Sequence, residues 1–341
     1  MTSDDAPAHG GDLGEAQALL GEHSGAEQAW IDLSTGINPN PYPLPPLDPE
    51  TWARLPARRD REALIEAAKR YYQVPEAAEI VAAPGSEALI HLLPDILPAE
   101  RIAIVGPTYG EHARAWERAG QARTVSEAAQ AAKGADVAVL VNPNNPDGWV
   151  LPPDALLAAA AMLSKHNGWL IVDEAFADAV PGVSSVALAA SHNVVVLRSF
   201  GKFFGLAGLR LGFAVAPPAL AAKLRARLGP WPVSGPAIAV ATVALADRKW
   251  QQASLEKLGR DASALDRLLT RAGLEIVGGT PLFRLTAHEA AEEIFFRLLK
   301  ARIYVRRFAA QPRWLRFGLP EGPRAFERLK AALLDQDGKP S

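Results

Sequence analysis

From about residue 60 onward, short unbroken apolar runs alternate with segments of helical spacing. Five such runs are "RIAIV" (101–105), "VAVLV" (137–141), "WLIVD" (169–173), "NVVVL" (193–197) and "LGFAV" (211–215). A strand covered on both faces has no reason to alternate apolar and polar residues, so these runs predict buried strands. "REALIEAAKRYY" (61–72) carries its apolar residues at helical spacing, and helices are also predicted over 153–166 and 218–228. Strands alternating with helices predict an α/β fold with a mostly parallel, doubly wound sheet covered by helices.

The pattern changes near residue 250. A long charged helix (250–272) precedes "LEIVGG", "LFRLT", a helix (287–300), "RIYV", "RWLRFG" and a last helix (322–335). This order predicts a smaller α+β domain with some antiparallel pairing. "NPNPYPLPPLDP" (38–49) is an extended connector, because proline disfavours helix in the residue before it. The expected organisation is an N-terminal segment (1–40) packing with the small domain, a large domain (41–248) and a small C-terminal domain (249–341).

Composition narrows the function. The 341 residues are 49% hydrophobic, which allows a sizeable core, and the formal charge of −2 gives no general attraction to nucleic acid or membrane. No cysteine is present, which excludes disulfides, thiolate nucleophiles and Cys-zinc sites and fits a cytoplasmic protein. The seven histidines are scattered with no zinc spacing, so no metal is expected. "MTSDDAPAHGGD" is acidic and lacks the apolar core of a signal peptide, and "DALLAAAAML" (154–163) is too short to span a bilayer.

Candidate chemistry then gathers at the ends of predicted strands, where ligands collect in open α/β sheets. "RSFGKFFGLAGLRLGF" (198–213) places Lys202 in an apolar, glycine-rich run, with Ser199 before it and Arg210 after it. Phe203 follows Gly201-Lys202 and no glycine stands at 196, so this is no nucleotide P-loop. A lone lysine is usually a solvated surface residue, but one desolvated at a strand end gains a lower pKa and a nucleophilic amine. Asp173 ends "WLIVD" and is either a cap or a carboxylate that keeps a heteroaromatic nitrogen protonated. Asn145 lies in the turn "NPNNPDG" after another strand. "APGSEALI" (83–90), with Gly85, Ser86 and Glu87, opens a helix whose free N–H groups suit a phosphate, although Ser86 suits a plain N-cap equally. "GPTYGEH" (106–112) offers Tyr109 as a flat surface. Together these residues describe a pyridoxal 5′-phosphate site: Lys202 for the aldehyde, Asp173 for the ring nitrogen and Asn145 for the phenolic oxygen. The Ser86 turn, Ser199 and Arg210 suit the phosphate, and Tyr109 suits the ring face.

The motifs "NPNNPDG", "DEAF", "SFGK" and "GLRLG" resemble, in order and spacing, those of the fold-type I pyridoxal phosphate enzymes, in the aminotransferase class that includes histidinol-phosphate aminotransferase. The resemblance runs from about residue 30 to 335 and implies a homodimer acting on a small-molecule substrate. A narrower likeness lies at the N-terminus. "HGGDL" followed by "WIDLSTGINPNPYP" resembles the L-threonine-O-3-phosphate decarboxylase branch, which belongs to cobalamin biosynthesis. In that branch a His-Gly-Gly segment folds over the active site, which implies that His9 contacts the substrate phosphate. The resemblance also carries Arg316 to the substrate carboxylate and Arg306 to substrate binding, whereas Arg307 and Arg313 read as a solvated face. Two positions depart from the aminotransferase pattern. Phe176 replaces the tyrosine after "DEA", and Leu55 replaces the tyrosine of "RYP" that reaches the partner subunit's cofactor; Tyr42 is a conceivable substitute. The expected activity is decarboxylation of L-threonine O-3-phosphate, with a histidinol-phosphate aminotransferase or a non-catalytic binding protein of the same fold as alternatives.

Overall fold

The structure is a computed structural model and describes residues 10–21 and 29–334. In chain order the strands are β1 (Ile31–Leu33), β2 (Glu79–Ala83), β3 (Arg101–Val105), β4 (Gln121–Val125), β5 (Val137–Val141), β6 (Trp169–Asp173), β7 (Val194–Ser199), β8 (Gly212–Ala216), β9 (Glu275–Thr280), β10 (Phe283–Ala287), β11 (Ile303–Arg307) and β12 (Trp314–Gly318). The chain divides into two compact units, one of residues 1–40 with 254–341 and one of residues 41–253.

The second unit holds a seven-stranded sheet in the order β2-β8-β7-β6-β5-β3-β4. Only β8 runs against its neighbours; the β3–β4, β3–β5, β5–β6 and β6–β7 pairs are all parallel. All five predicted runs are strands of this sheet, and β5 and β8 are buried at every residue. Two strands escape the apolar-run rule. β4, "QARTV", is the sheet edge and is mostly exposed, so it needs no apolar run; β2, "EIVAA", is the opposite edge and pairs only with β8. Leu89, Leu93 and Trp116 pack with Ile104, Val139 and Ile171 in one core cluster. Removing a Val or Ile side chain of that kind from water contributes roughly 1.5–3 kcal/mol.

Asp136 joins the starts of three adjacent strands. Its carboxylate accepts the Glu100 and Arg101 N–H groups at 3.1 and 2.9 Å and pairs with the Arg101 guanidinium at 2.7 Å. Its own backbone bonds Arg101 and Trp169. The Arg101 side-chain bond, aided by the two backbone N–H groups, pulls the Asp136 carboxyl down to about 2. A depressed carboxylate stabilises the fold above its ordinary pKa, and that contribution is lost as pH falls through the folded value. Asp136→Ala is therefore expected to cost about 1 kcal/mol near neutral pH, a value discounted for its partial exposure. The difference from wild type, read by urea unfolding, should shrink between about pH 4 and pH 2.

The first unit holds a five-stranded sheet in the order β1-β11-β12-β10-β9. β1 pairs β11 in parallel, and β11–β12, β12–β10 and β10–β9 are antiparallel. The helix predicted over 287–300 spans Ala291–Lys300 instead. Ala287 still pairs with Trp314 on β12, and His288 Nδ1 accepts the Ala290 N–H to close a turn before the helix begins.

Candidate active site

Register brings the candidate residues of the second unit to one end of its sheet. Val141 pairs with Asp173 and Asp173 with Leu197; Ser199 pairs with Gly212, and Gly212 with Ala83. The "NPNNPDG" turn, Asp173, Ser199, the residues before Gly212 and the turn after Ala83 therefore lie side by side. This is the carboxyl end of the parallel strands, where open α/β sheets bind ligands.

The turn after β2 is built to bring backbone close to an arginine. Gly85, with φ 88°, is the N-cap of the helix Ser86–Ile96, so Ser86 is the first helical residue and not the cap considered from sequence. A Cβ on Gly85 would lie 3.0 Å from Arg210 Nη2, and one on Gly212 would lie 2.3 Å from the Ser86 nitrogen. Arg210 itself has φ 50° and is exposed. A helix N-terminus with open N–H groups, a guanidinium beside its cap glycine and Ser199 on the neighbouring strand form a fitting cradle for a phosphate. Glu87 contributes differently from Ser86. Its carboxylate receives the Tyr109 hydroxyl at 3.0 Å and meets His91 Nε2 at 3.0 Å, so only its backbone N–H is suited to an anion.

Asp173 is buried, and both of its oxygens are placed. Oδ1 accepts the Ala175 N–H at 3.0 Å, and Oδ2 lies 3.0 Å from Nε2 of His112, which is 1% exposed. His112 joins the candidate residues through this contact, although no motif in the sequence singles it out. The available signal was its spacing three residues after Tyr109, which turns both side chains to one face of the helix that Tyr109 caps. The two rings meet edge to face with centroids 6.1 Å apart. Burial raises the Tyr109 hydroxyl, helped by Glu87, Glu111 and Asp173, so the group stays protonated. The turn after β5 separates three asparagines by role. Asn142 bonds the Leu151 backbone, and Asn144 bonds Thr108, Pro107 and Asp147. Asn145 is the half-buried member.

Lys202 lies in the short helix Phe200–Phe203 directly after β7, half-buried between Phe200 and Phe203, which are both buried. Its Nζ is 5.7 Å from the centroid of the Phe176 ring. The flanking strand ends are held by a buried charge network. Arg198 pairs with Glu174 and Asp178, and Glu174 also accepts the Ser184 hydroxyl and the Ser185 N–H and hydroxyl. Burial works against the Arg198 charge, but Asp178 and Glu174 raise its pKa. This network joins the residue after Asp173 to the residue before Ser199. Tyr42, the candidate substitute for the tyrosine missing at 55, has its contacts within its own unit. It is buried against Phe204 and Trp250, with its hydroxyl toward Asp247 at 3.3 Å. Leu55 is 67% exposed.

The first unit carries the candidate substrate arginines. Arg306 on β11 and Arg316 on β12 are register partners. Arg316 is buried, its Nη2 donates to the Ser34 carbonyl at 2.8 Å, and its guanidinium lies 5.1 Å from the Phe283 ring centroid. Burial, and then the Arg306 charge, push Arg316 down to about 9, against the pull of Asp32. Two cations placed opposite each other with one desolvated make a site that favours an anion. Arg307 is exposed and lies 4.8 Å from the Phe295 ring, while exposed Arg313 pairs with Glu289. His9 falls outside the described residues.

Comparison with known proteins bears on this arrangement. The family model for aminotransferase class I and II matches residues 47–326. A threonine-phosphate decarboxylase of Sinorhizobium sp is 44% identical over 95% of this chain and 97% of its own length. One of Pseudomonas aeruginosa is 42% identical over 89% of this chain and 91% of its own. In fold, the chain is similar to the crystal structure of histidinol-phosphate aminotransferase from Sinorhizobium meliloti in complex with pyridoxal-5′-phosphate. The TM-score is 0.78 at 22% identity, covering 98% of this chain and 97% of that one.

Proposed function

Because the chain belongs to the aminotransferase class I and II family, we propose that it uses pyridoxal 5′-phosphate to decarboxylate L-threonine O-3-phosphate, releasing CO₂ and (R)-1-amino-2-propanol O-2-phosphate. One observation carries the choice of reaction: identity of 44% and 42% to two threonine-phosphate decarboxylases across nearly the whole chain. The place of the reaction would be cobalamin biosynthesis, in the cytoplasm. Among the described residues no helix is long and apolar enough to cross a membrane.

The residues divide the work. Gly85, Ser86 and the Glu87 N–H, with Ser199 and Arg210, hold the cofactor phosphate; Asn145 meets its phenolic oxygen and Tyr109 its ring face. Phe176, in place of a tyrosine, gives that oxygen no hydroxyl. Asp173, oriented by His112, keeps a proton on the ring nitrogen. When bound, the cofactor supplies the electron sink for the pair released from the bond between Cα and the carboxylate. Lys202 holds the cofactor through its amine and, once displaced by the substrate amine, returns a proton to Cα. Arg316 takes the substrate carboxylate through a planar fork, and Arg306 with His9 serves the phosphate end. The N-terminal segment (1–40) covers the substrate.

We assign the working form as a homodimer. Leu44, Trp52 and Leu55 are 65%, 70% and 67% exposed, a density of large apolar side chains that a second copy would cover. Light scattering of the eluted protein should read twice the chain mass.

The activity itself is tested by supplying purified holoenzyme with L-threonine O-3-phosphate and assaying CO₂ and aminopropanol phosphate. A parallel reaction holds histidinol phosphate and 2-oxoglutarate and is assayed for glutamate. Sustained CO₂ without glutamate is the expected result. Glutamate without CO₂ would replace the proposal with an aminotransferase. Bound cofactor with neither product would replace it with a binding protein.

A further inference from the structure

Ser34 spends every polar atom it has. It is fully buried, and its N–H and hydroxyl both donate to Asp32 Oδ1, at 2.8 and 2.6 Å. With its proton directed to Asp32, the Ser34 hydroxyl oxygen accepts the Gly11 N–H at 2.7 Å. Its carbonyl accepts Arg316 Nη2 at 2.8 Å. The same carbonyl is the surface on which Gly10 rests: a Cβ on Gly10 would fall 2.3 Å from the Ser34 oxygen and 2.8 Å from its carbon. Gly11, with φ 98°, adopts a backbone conformation that other residues enter at a cost. One residue thus touches the Gly10–Gly11 step on one side and the Arg316 guanidinium on the other, with Asp32 fixing its orientation.

We propose that Ser34 is a positioning residue that couples docking of the Gly10–Gly11 step to the orientation of Arg316, so that the N-terminal segment and the carboxylate-binding arginine engage as one unit. The inference rests on the reading of Arg316 as the substrate carboxylate ligand. Asp32 is the second member of the device, because it decides which way the Ser34 hydroxyl points.

The test compares KM and kcat for L-threonine O-3-phosphate in holoenzyme variants. Ser34→Ala keeps the carbonyl and removes the hydroxyl. It is expected to raise KM about tenfold, the scale of one buried hydrogen bond, with kcat changed less than about twofold and the cofactor retained. Gly10→Ala, which forces the Ser34 carbonyl to move, should raise KM in the same way and serves if Ser34→Ala does not fold. In a chain lacking residues 1–11, Ser34→Ala should add less than about twofold to KM, because the coupled partner is already gone. An equal KM penalty in both backgrounds overturns the coupling and leaves Ser34 as local support for its strand. Hydrogen exchange at the Gly11 amide gives a readout that needs no turnover. It should accelerate in Ser34→Ala, and unchanged exchange also overturns the proposal. If the wild-type holoenzyme releases no CO₂, the decarboxylase reading fails, and Gly11 exchange in Arg316→Ala, which leaves the Ser34 hydroxyl in place, decides the coupling: faster exchange supports it and unchanged exchange overturns it.

Discussion

Replacing Lys202 with alanine is expected to lower CO₂ release from L-threonine O-3-phosphate by at least about 10⁴-fold. The size follows from two proposed roles lost together, the amine that holds the cofactor and the acid that reprotonates Cα. The position itself argues for chemistry over packing. The backbone between Ser199 and Gly205 is surrounded by Phe200, Phe203 and Phe204, each at most 1% exposed, and the ammonium lies over the Phe176 ring. Lys202→Arg separates the two possibilities, since guanidinium keeps the charge and offers no nucleophile; it should be as inactive as the alanine variant. Borohydride treatment followed by peptide mass analysis should place the cofactor on the Lys202 peptide of the wild type and on neither variant. A Lys202→Arg enzyme with more than about one hundredth of wild-type turnover would show that the residue acts through charge alone.

Strand ends carried most of what was legible in the sequence. Asp173 and Ser199 end strands of buried runs, Lys202 and Asn145 stand just after them, and buried runs are the loudest signal a chain emits. The cradle around Gly85 was less legible. That Arg210 lies against the cap glycine depends on β8 running antiparallel between β2 and β7, which no local pattern reports. His112 was missed for the same reason: its partner Asp173 is distant in sequence, and the contact exists only because β3 and β6 flank β5. β4 was invisible because an edge strand with Gln, Arg and Thr facing water looks like a loop. Tyr42 is a further case. Its sequence position says nothing of its surroundings, which are Phe204, Trp250 and the Asp247 carboxylate. The two glycines of "HGGDL" stand out in the sequence only through resemblance; the physical need for Gly10 appears against the Ser34 carbonyl and that for Gly11 in its φ of 98°.

Arg316→Ala is expected to reduce kcat/KM for L-threonine O-3-phosphate by about 10²–10³-fold, the cost of truncating one partner of a desolvated charge pair. Most of the loss should appear in KM at first, because the carboxylate loses its fork before any bond breaks; a fall in kcat as well would mean that Arg316 also holds the carboxylate in the orientation from which CO₂ leaves. Burial has already stripped water from this guanidinium, and Arg306 opposite it adds repulsion. An incoming anion therefore relieves a stress built into the first unit, and alanine removes both the stress and its use. The variant consequently need not be unstable, although the Ser34 carbonyl loses its donor. Arg316→Lys restores charge without the planar pair of donors and should recover only part of the activity, remaining about tenfold or more below wild type. Cofactor binding, which we assign to residues of the second unit, should be unchanged in both variants. Unaltered kcat/KM in a folded Arg316→Ala enzyme would reassign Arg316 to the support of β1 and β12 and move the carboxylate to Arg306, whose own alanine variant would then carry the full loss.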